Sequence, residues 1–402
     1  MATFSIFPQI DTTLYSHPDR SDLNTGHDEI LEVVKEPKGN TYYPSRVVIK
    51  FKDRDIQLAL QNLLKQTGSF VGADNWDATL KLYSTENKNL ATDHILQCFP
   101  LSQSWSEGTG KYISSPQSSN GATWVYRSNN RDPLHNPTNK WITASFNTGV
   151  TGSFVKQKGG GNWYIGAGFK SSQNFLSTDD LDLSFNVTEV IKKYSSSYYQ
   201  SAVYPTGLTN NGFIIKKSQP EEESLSSSFG ELKYFSSNTH TIYSPRLEFS
   251  WDDSSYVTSS GATSLIGEEV FLSLYDNRGT THKQNQAYKY PNRDFTPRRF
   301  RVTARKRYPD RAFVTSSNYL PIAYLPPYSQ WMIKDGETDE VQQSGFLSAD
   351  VKGHYFDVYV GGLYPERFYK FQFEIPEYDD GYFNYQTHTT ILDEDFYFKL
   401  VR

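Results

Sequence analysis

With 402 residues, a net charge of −5 and a pI near 5.9, the chain lacks the basic surplus of a general nucleic-acid binder. Its single cysteine, Cys98, excludes an internal disulfide framework and any cysteine-built zinc site. The length predicts roughly two or three domains, and a 15% aromatic share, with 29 Tyr and 26 Phe against 2 Met, favours strands before any pattern is read.

The opening residues, MATFSIFPQIDTTLY, carry neither a basic region nor a long apolar run, so no signal peptide is expected. No stretch of about 18 apolar residues occurs, and no transmembrane helix is predicted. A chain without disulfides is compatible with synthesis in the cytoplasm. Strand-like runs rich in β-branched and aromatic residues then follow at 29–34, 45–51, 78–84, 93–101, 124–127, 181–187, 212–217 and 246–251. Several alternate, as in Leu80-Lys81-Leu82-Tyr83, with one face toward a core and one toward water.

Two helices interrupt the strands. Residues 55–68 place Ile56, Leu60, Leu63 and Leu64 near one face and end on Gly68. Residues 186–198 put Val187, Val190, Ile191 and Tyr194 at helical spacing, with Asn186 or Thr188 as cap. The polar stretch 216–228, KKSQPEEESLSSS, reads as an exposed loop. A Ser/Gly/Thr-rich segment at 252–269 predicts a boundary: a domain over 1–255, a linker over 256–268 and a second domain over 269–402. Beyond it come 298–309, 319–335, 354–375 and 395–402. In 368–375 Phe368, Lys370, Gln372 and Glu374 alternate with Tyr369, Phe371, Phe373 and Ile375. The expected fold class is all-β, two β-sandwich domains, the smaller C-terminal one Ig-like, with one or two short helices.

Catalytic chemistry leaves little trace. None of the eight histidines stands four residues from another, and no G-x-S-x-G occurs. Cys98 lies in the apolar alternation ILQCF and reads as a buried filler. KQKGGGNWY at 156–164 lacks the P-loop pattern and a following helix, which leaves a flexible hairpin or clamp loop as its reading. Asp179, Asp180 and Asp182 could offer oxygens to Ca²⁺, against the plainer reading of turn-forming aspartates; no cofactor is predicted. The run RRFRVTARKRY at 298–308 holds six Arg and Lys. As a strand it turns Arg299, Arg301 and Thr303 one way and Phe300, Val302 and Ala304 the other. That describes a solvated face, an edge strand guarded by charge, or a surface for an acidic partner.

Taken in order, QIDTTLY, NTGHDEILEV, YPSRVVIKFKDRDI, ATLKLYST, ILQCFPLSQSWSEGTGKY, FNVTEVIKKY and NNGFIIKK resemble the DNRLRE-type β-sandwich domain, a module related to some carbohydrate-binding modules, over about residues 3–251. Residues 113–180 and 218–228 are longer than that family's spacing. The resemblance implies a jelly-roll-like sandwich in which Trp105 of SWSEG covers the core end while Glu107-Gly108-Thr109 turns the chain. The whole chain also resembles virion structural proteins of T4-like marine tailed bacteriophages, through SRVVIKF, LYPERFYKFQFEI and DFYFKLV.

That second resemblance implies a non-enzymatic virion component of the tail, baseplate or neck, made in the host cytoplasm. Its partners would be other virion proteins and copies of itself as a homo-oligomer, with no nucleic acid and no membrane insertion. Loops 113–140 and 156–163 and the strand edges would supply interfaces, with Trp124, Trp141, Trp163, Arg299 and Arg301 as candidate partner-binding residues. One alternative is a carbohydrate-binding module that recognises host surface glycans through rings in NKWITASFN or GNWYIG. Another is a tail-associated polysaccharide depolymerase, against which stands the lack of a β-solenoid period.

Overall fold

The computed structural model describes residues 2–62, 76–85, 93–113, 118, 120–128, 139–141, 150–151, 159–166, 168–175, 181–199, 208–224, 230–258, 262–276, 281–283, 297–309, 322–376 and 389–401. The protein is all-β and sandwich-built, with three short α-helices among the described residues. Its contacts divide it into two units, Ile6–Glu248 and Phe249–Arg402 together with Met1–Ser5.

In the first unit a six-stranded sheet runs in the order Ser171–Phe175, His94–Pro100, Phe213–Lys217, Thr41–Lys50 and Ile10–Tyr15, and Lys35–Lys38 folds back on Thr41–Lys50. The central strands do not alternate: residues 44–49 and 213–217 are buried without a break, because both faces of this sheet are covered. On one face Leu14, Val48, Phe99, Leu101 and Ile214 pack with Trp105, Trp124, Trp141 and Trp163. On the other, Phe213 meets the ring of Tyr194 at 5.9 Å. Elsewhere in the unit Trp76–Leu82 pairs with Leu183–Asn186, Leu80 opposite Phe185, and there the predicted alternation is plain.

Helix α1 (Asp53–Asn62) buries Ile56, Ala59 and Leu60 and begins on Asp53 and Asp55, whose charge suits a helix start. The rest of the predicted helix, 63–68, lies outside the described residues. Helix α2 (Thr188–Tyr199) buries Val190, Ile191 and Tyr194 at the expected spacing. Asn186 Oδ1 accepts the Thr188 N–H at 3.0 Å, and Thr188 Oγ1 accepts the Ala78 N–H at 2.8 Å, tying the helix start to the neighbouring strand.

The stretch expected as an exposed loop at 216–228 is different. Its described part holds a third helix, α3 (Gln219–Glu223), opened by a capping box in which Glu221 Oε2 accepts the Ser218 N–H at 2.9 Å. Lys216, Lys217, Ser218 and Glu222 are buried. Pro220 in the first turn suits that start.

The second unit is a sandwich of two sheets. One has the order Thr263–Ser264, Ala323–Tyr324, Arg298–Lys306, Gly353–Val358, Ser348–Asp350, with Val270–Asp276 also paired to Arg298–Lys306. The other runs Thr281–Lys283, Thr389–Val401, Phe368–Pro376, Gln330–Asp335, Val341–Phe346. Phe300 and Phe356 from the first sheet meet Trp331 and Phe371 from the second, with ring centroids 4.9–5.3 Å apart for Trp331–Phe356, Phe300–Phe371 and Phe356–Phe371. These offset and edge-to-face pairs bind the sheets beyond area burial alone.

Two features of this unit were not readable from the chain order. Phe4 is fully buried and lies edge-on to Tyr359 at 6.4 Å, so the first five residues group with the C-terminal half. The segment read as a linker packs on the unit: Leu265 is buried in its core, and the Tyr256 hydroxyl donates to the Leu325 carbonyl at 2.6 Å.

Candidate functional site

The three tryptophans singled out as contact residues come together in the interior. Trp124, Trp141 and Trp163 are 3%, 2% and 2% exposed, so none offers its ring to a partner or a sugar in this structure. Trp105, 8% exposed, donates from Nε1 to the Asn211 carbonyl at 2.9 Å, which makes it the core plug that the resemblance implies. Trp141 Nε1 donates to the Thr123 carbonyl at 2.9 Å. Each ring is worth about 2–3 kcal/mol of burial, and each named indole N–H has its acceptor.

Trp124 and Trp163 enclose a charge. Arg46 lies with its guanidinium carbon 4.7 Å from the Trp124 ring and 5.1 Å from the Trp163 ring. It donates from Nε and Nη2 to Glu222 at 3.0 and 2.8 Å, and from Nη1 to the Gly160 carbonyl at 2.8 Å. Lys216 Nζ stands 3.0 Å from the same carboxylate. Burial alone would push the Glu222 carboxyl up, but Arg46 and Lys216 together hold it below the usual range, while burial pulls Lys216 down. Two cations on one anion, closed off by tryptophan rings, form an internal cross-link between strand Thr41–Lys50, strand Phe213–Lys217 and α3.

Of the predicted hairpin or clamp, Val150–Thr151 pairs antiparallel with Trp163–Tyr164, as a hairpin would, and the described glycines are packed closely. Gly160 has φ +75°, its N–H donates to the Trp124 carbonyl at 2.6 Å, and a Cβ there would fall 2.6 Å from the Trp124 ring. Residues 156–158 lie outside the described residues.

A second internal lock joins the N-T-G and W-S-E-G segments. The Asn24 side chain donates to the Glu107 and Ala122 carbonyls at 2.6 and 2.8 Å and accepts from the Gly26 and Gly110 N–H groups at 3.2 and 2.9 Å, filling its capacity. Beside it, Asp11 accepts the Ser237 N–H at 2.7 Å through Oδ2, while its buried Oδ1 has no partner. Burial, reinforced by Glu107, pushes the Asp11 carboxyl up to about 7 against the Ser237 hydrogen bonds.

Other chemistry is sparse among the described residues, where no group of three or more His, Cys, Asp or Glu is arranged to hold a metal. Asp182 Oδ1 accepts the Ser84 N–H at 2.6 Å; Asp179 and Asp180 lie outside the described residues. A cavity of about 80 Å³ is lined by Cys98, Phe169, Lys170, Asn186 and Glu189 among others, and burial pushes the Cys98 thiol up, away from a reactive thiolate.

Arg299 reaches the surface, 48% exposed, while Arg301 is largely covered at 13%. Their strand, Arg298–Lys306, pairs with Val270–Asp276 and Gly353–Val358, so it is interior to its sheet and not an edge. Burial alternates along it as predicted, Phe300, Val302 and Ala304 inward, Arg299, Thr303 and Arg305 exposed. The register sets Arg299 opposite Asp357 and Arg305 opposite Phe271. Arg299 binds Asp357 with two hydrogen bonds of 2.9 and 2.8 Å, and Arg301 binds Asp350 with two of 3.0 and 2.7 Å. Both lie over the Tyr355 ring, at 4.1 and 5.4 Å. The hydrogen bond from Arg301 holds the Asp350 carboxyl below its usual range.

The acidic partner of these two arginines is therefore, in the first instance, their own sheet. Sequence reasoning missed Asp350, Asp357 and Tyr355, since only the strand register brings them across. The result is a stiff outward face of arginines laid on aromatic rings, the composition that interface cores favour. No protein-family model matches the chain, and no curated protein matches it.

Proposed function

We propose that the chain is a non-enzymatic structural component of a bacteriophage virion, built into the tail, baseplate or neck through protein–protein interfaces. The observation that supports this reading is the outward face of Val270–Asp276, Arg298–Lys306 and Gly353–Val358. There the strand register sets Arg299 and Arg301 over Tyr355 and Arg305 over Phe271, and ion pairs to Asp357 and Asp350 fix the first two. Side chains immobilised before binding lose little entropy on contact, which favours repeated assembly contacts. The locked interior of the other unit, with its charges cross-linked, suits a rigid block in the same way.

A glycan-recognition role finds less support, because the rings of Trp141 and Trp163 are interior. The test is a mass-spectrometric inventory of purified particles after lysine cross-linking. The protein should be present, with cross-links from Lys306 or Lys352 to neighbouring virion proteins; its absence from intact particles ends the proposal.

A further inference from the structure

We infer that the arginine face, on the assembly reading just given, receives an acidic segment of a partner protein, and that the residues gripping it are Arg305 and Arg307. Of the six cations in 298–308, Arg299, Arg301 and Lys306 are paired within the unit, to Asp357, Asp350 and Glu268, the last at 2.6 Å, and Arg298 has an interaction of its own. Among the described residues Arg305 and Arg307 form no ion pair. Both are exposed and share the parity of Arg299 and Arg301 along the chain.

Each lies on an exposed aromatic. The Arg305 guanidinium is 4.4 Å from the ring of Phe271, 37% exposed, and that of Arg307 is 5.9 Å from the ring of Tyr308, 75% exposed. Arg305 Nη1 donates to the Lys306 carbonyl at 3.2 Å, which leaves most of its five N–H donors for a ligand. On a chain of net charge −5 this end of the strand sets Arg305, Lys306 and Arg307 against Glu268 and Glu269, a small local surplus of positive charge. Arg305 is the last exposed residue of the strand, and Arg307 follows just past its end, where its N–H donates to the Glu269 carbonyl at 2.8 Å, so the two guanidinium groups belong to one exposed corner of the sheet. Planar guanidinium forks match carboxylates in pairs, as the same face already shows at Asp357 and Asp350. The net negative chain opposes a long polyanion, which favours a short acidic protein segment over nucleic acid.

The test is fluorescence anisotropy on the full chain at low salt, with a labelled Glu-Thr-Glu-Thr-Glu peptide, its Gln-for-Glu counterpart and oligothymidine as probes. The Glu peptide should bind, the Gln peptide should not, and R305Q/R307Q should weaken binding about tenfold, whereas K38Q, which removes an exposed cation of the other unit, changes it about twofold or less. Binding that R305Q/R307Q leaves unchanged, tighter binding of oligothymidine, or sedimentation showing self-association that R305Q/R307Q abolishes would each overturn the inference. Presence in particles with peptide binding indifferent to R305Q/R307Q sinks this inference alone; absence from particles with binding intact sinks the assembly reading alone.

Discussion

Glu222 holds two buried cations, and the cost of that arrangement sits in whichever charge loses its partner. Glu222→Gln keeps the shape but leaves Arg46 and Lys216 facing a neutral amide between Trp124 and Trp163. We expect it to destabilise the Ile6–Glu248 unit by about 3–5 kcal/mol, read as a lower urea midpoint. Asp11 works in the opposite sense. Its carboxyl, ordinarily near 3.8, is pushed up to about 7 by burial, with Glu107 adding to it. The folded chain therefore keeps a proton that the unfolded chain gives up, and stability falls as pH rises from about 4 to about 7, then levels off. The full span corresponds to about 4 kcal/mol at most. Asp11→Asn removes the titration while its carbonyl can still accept from Ser237. It should gain about 1–2 kcal/mol at pH 8 and nothing at pH 4 in urea melts; an equal gain at both would show that Asp11 does not titrate in this way.

At the scale of elements, both kinds of strand were legible as strands, but only the one-sided ones showed in their alternation which residues would be buried. Residues 298–305 alternate, and 368–375 do so except at the buried Gln372, because the sandwich core takes one face and solvent the other. Residues 44–49 and 213–217 are covered on both faces, so Arg46, Lys216 and Lys217 look like surface charges until the tryptophans and α3 are in place. The Gly159–Gly161 run shows the same limit, since a glycine chosen for close packing and one chosen for mobility are identical as letters. Gly160→Ala should cost about 2 kcal/mol or more, from positive φ and overlap with Trp124 together. Gly39→Ala, at φ +62° with open space around it, should cost about 1 kcal/mol. Equal costs in thermal melts would mean that the Gly160 packing contributes nothing.

For the whole molecule, the grouping of Met1–Ser5 with Phe249–Arg402 has a direct consequence. Phe4 is buried against Tyr359 and beside Gly362, so Phe4→Ala should lower the stability of the C-terminal unit by about 3–5 kcal/mol. Hydrogen exchange should show the loss in strands such as Phe368–Pro376 and leave Phe213–Lys217 protected; the reverse pattern would contradict the grouping. Composition, alternation and turn residues by themselves determined an all-β protein with two helices near 55 and 190 and aromatic cores, because those properties depend on local backbone preference and on which side of a strand meets water. Only the tertiary structure decided which tryptophans are interior, which carboxylates neutralise Arg299 and Arg301, and that Glu222 is buried. Each of those depends on residues from 49 to 176 positions apart being brought within a few ångströms, and no local pattern records such a meeting.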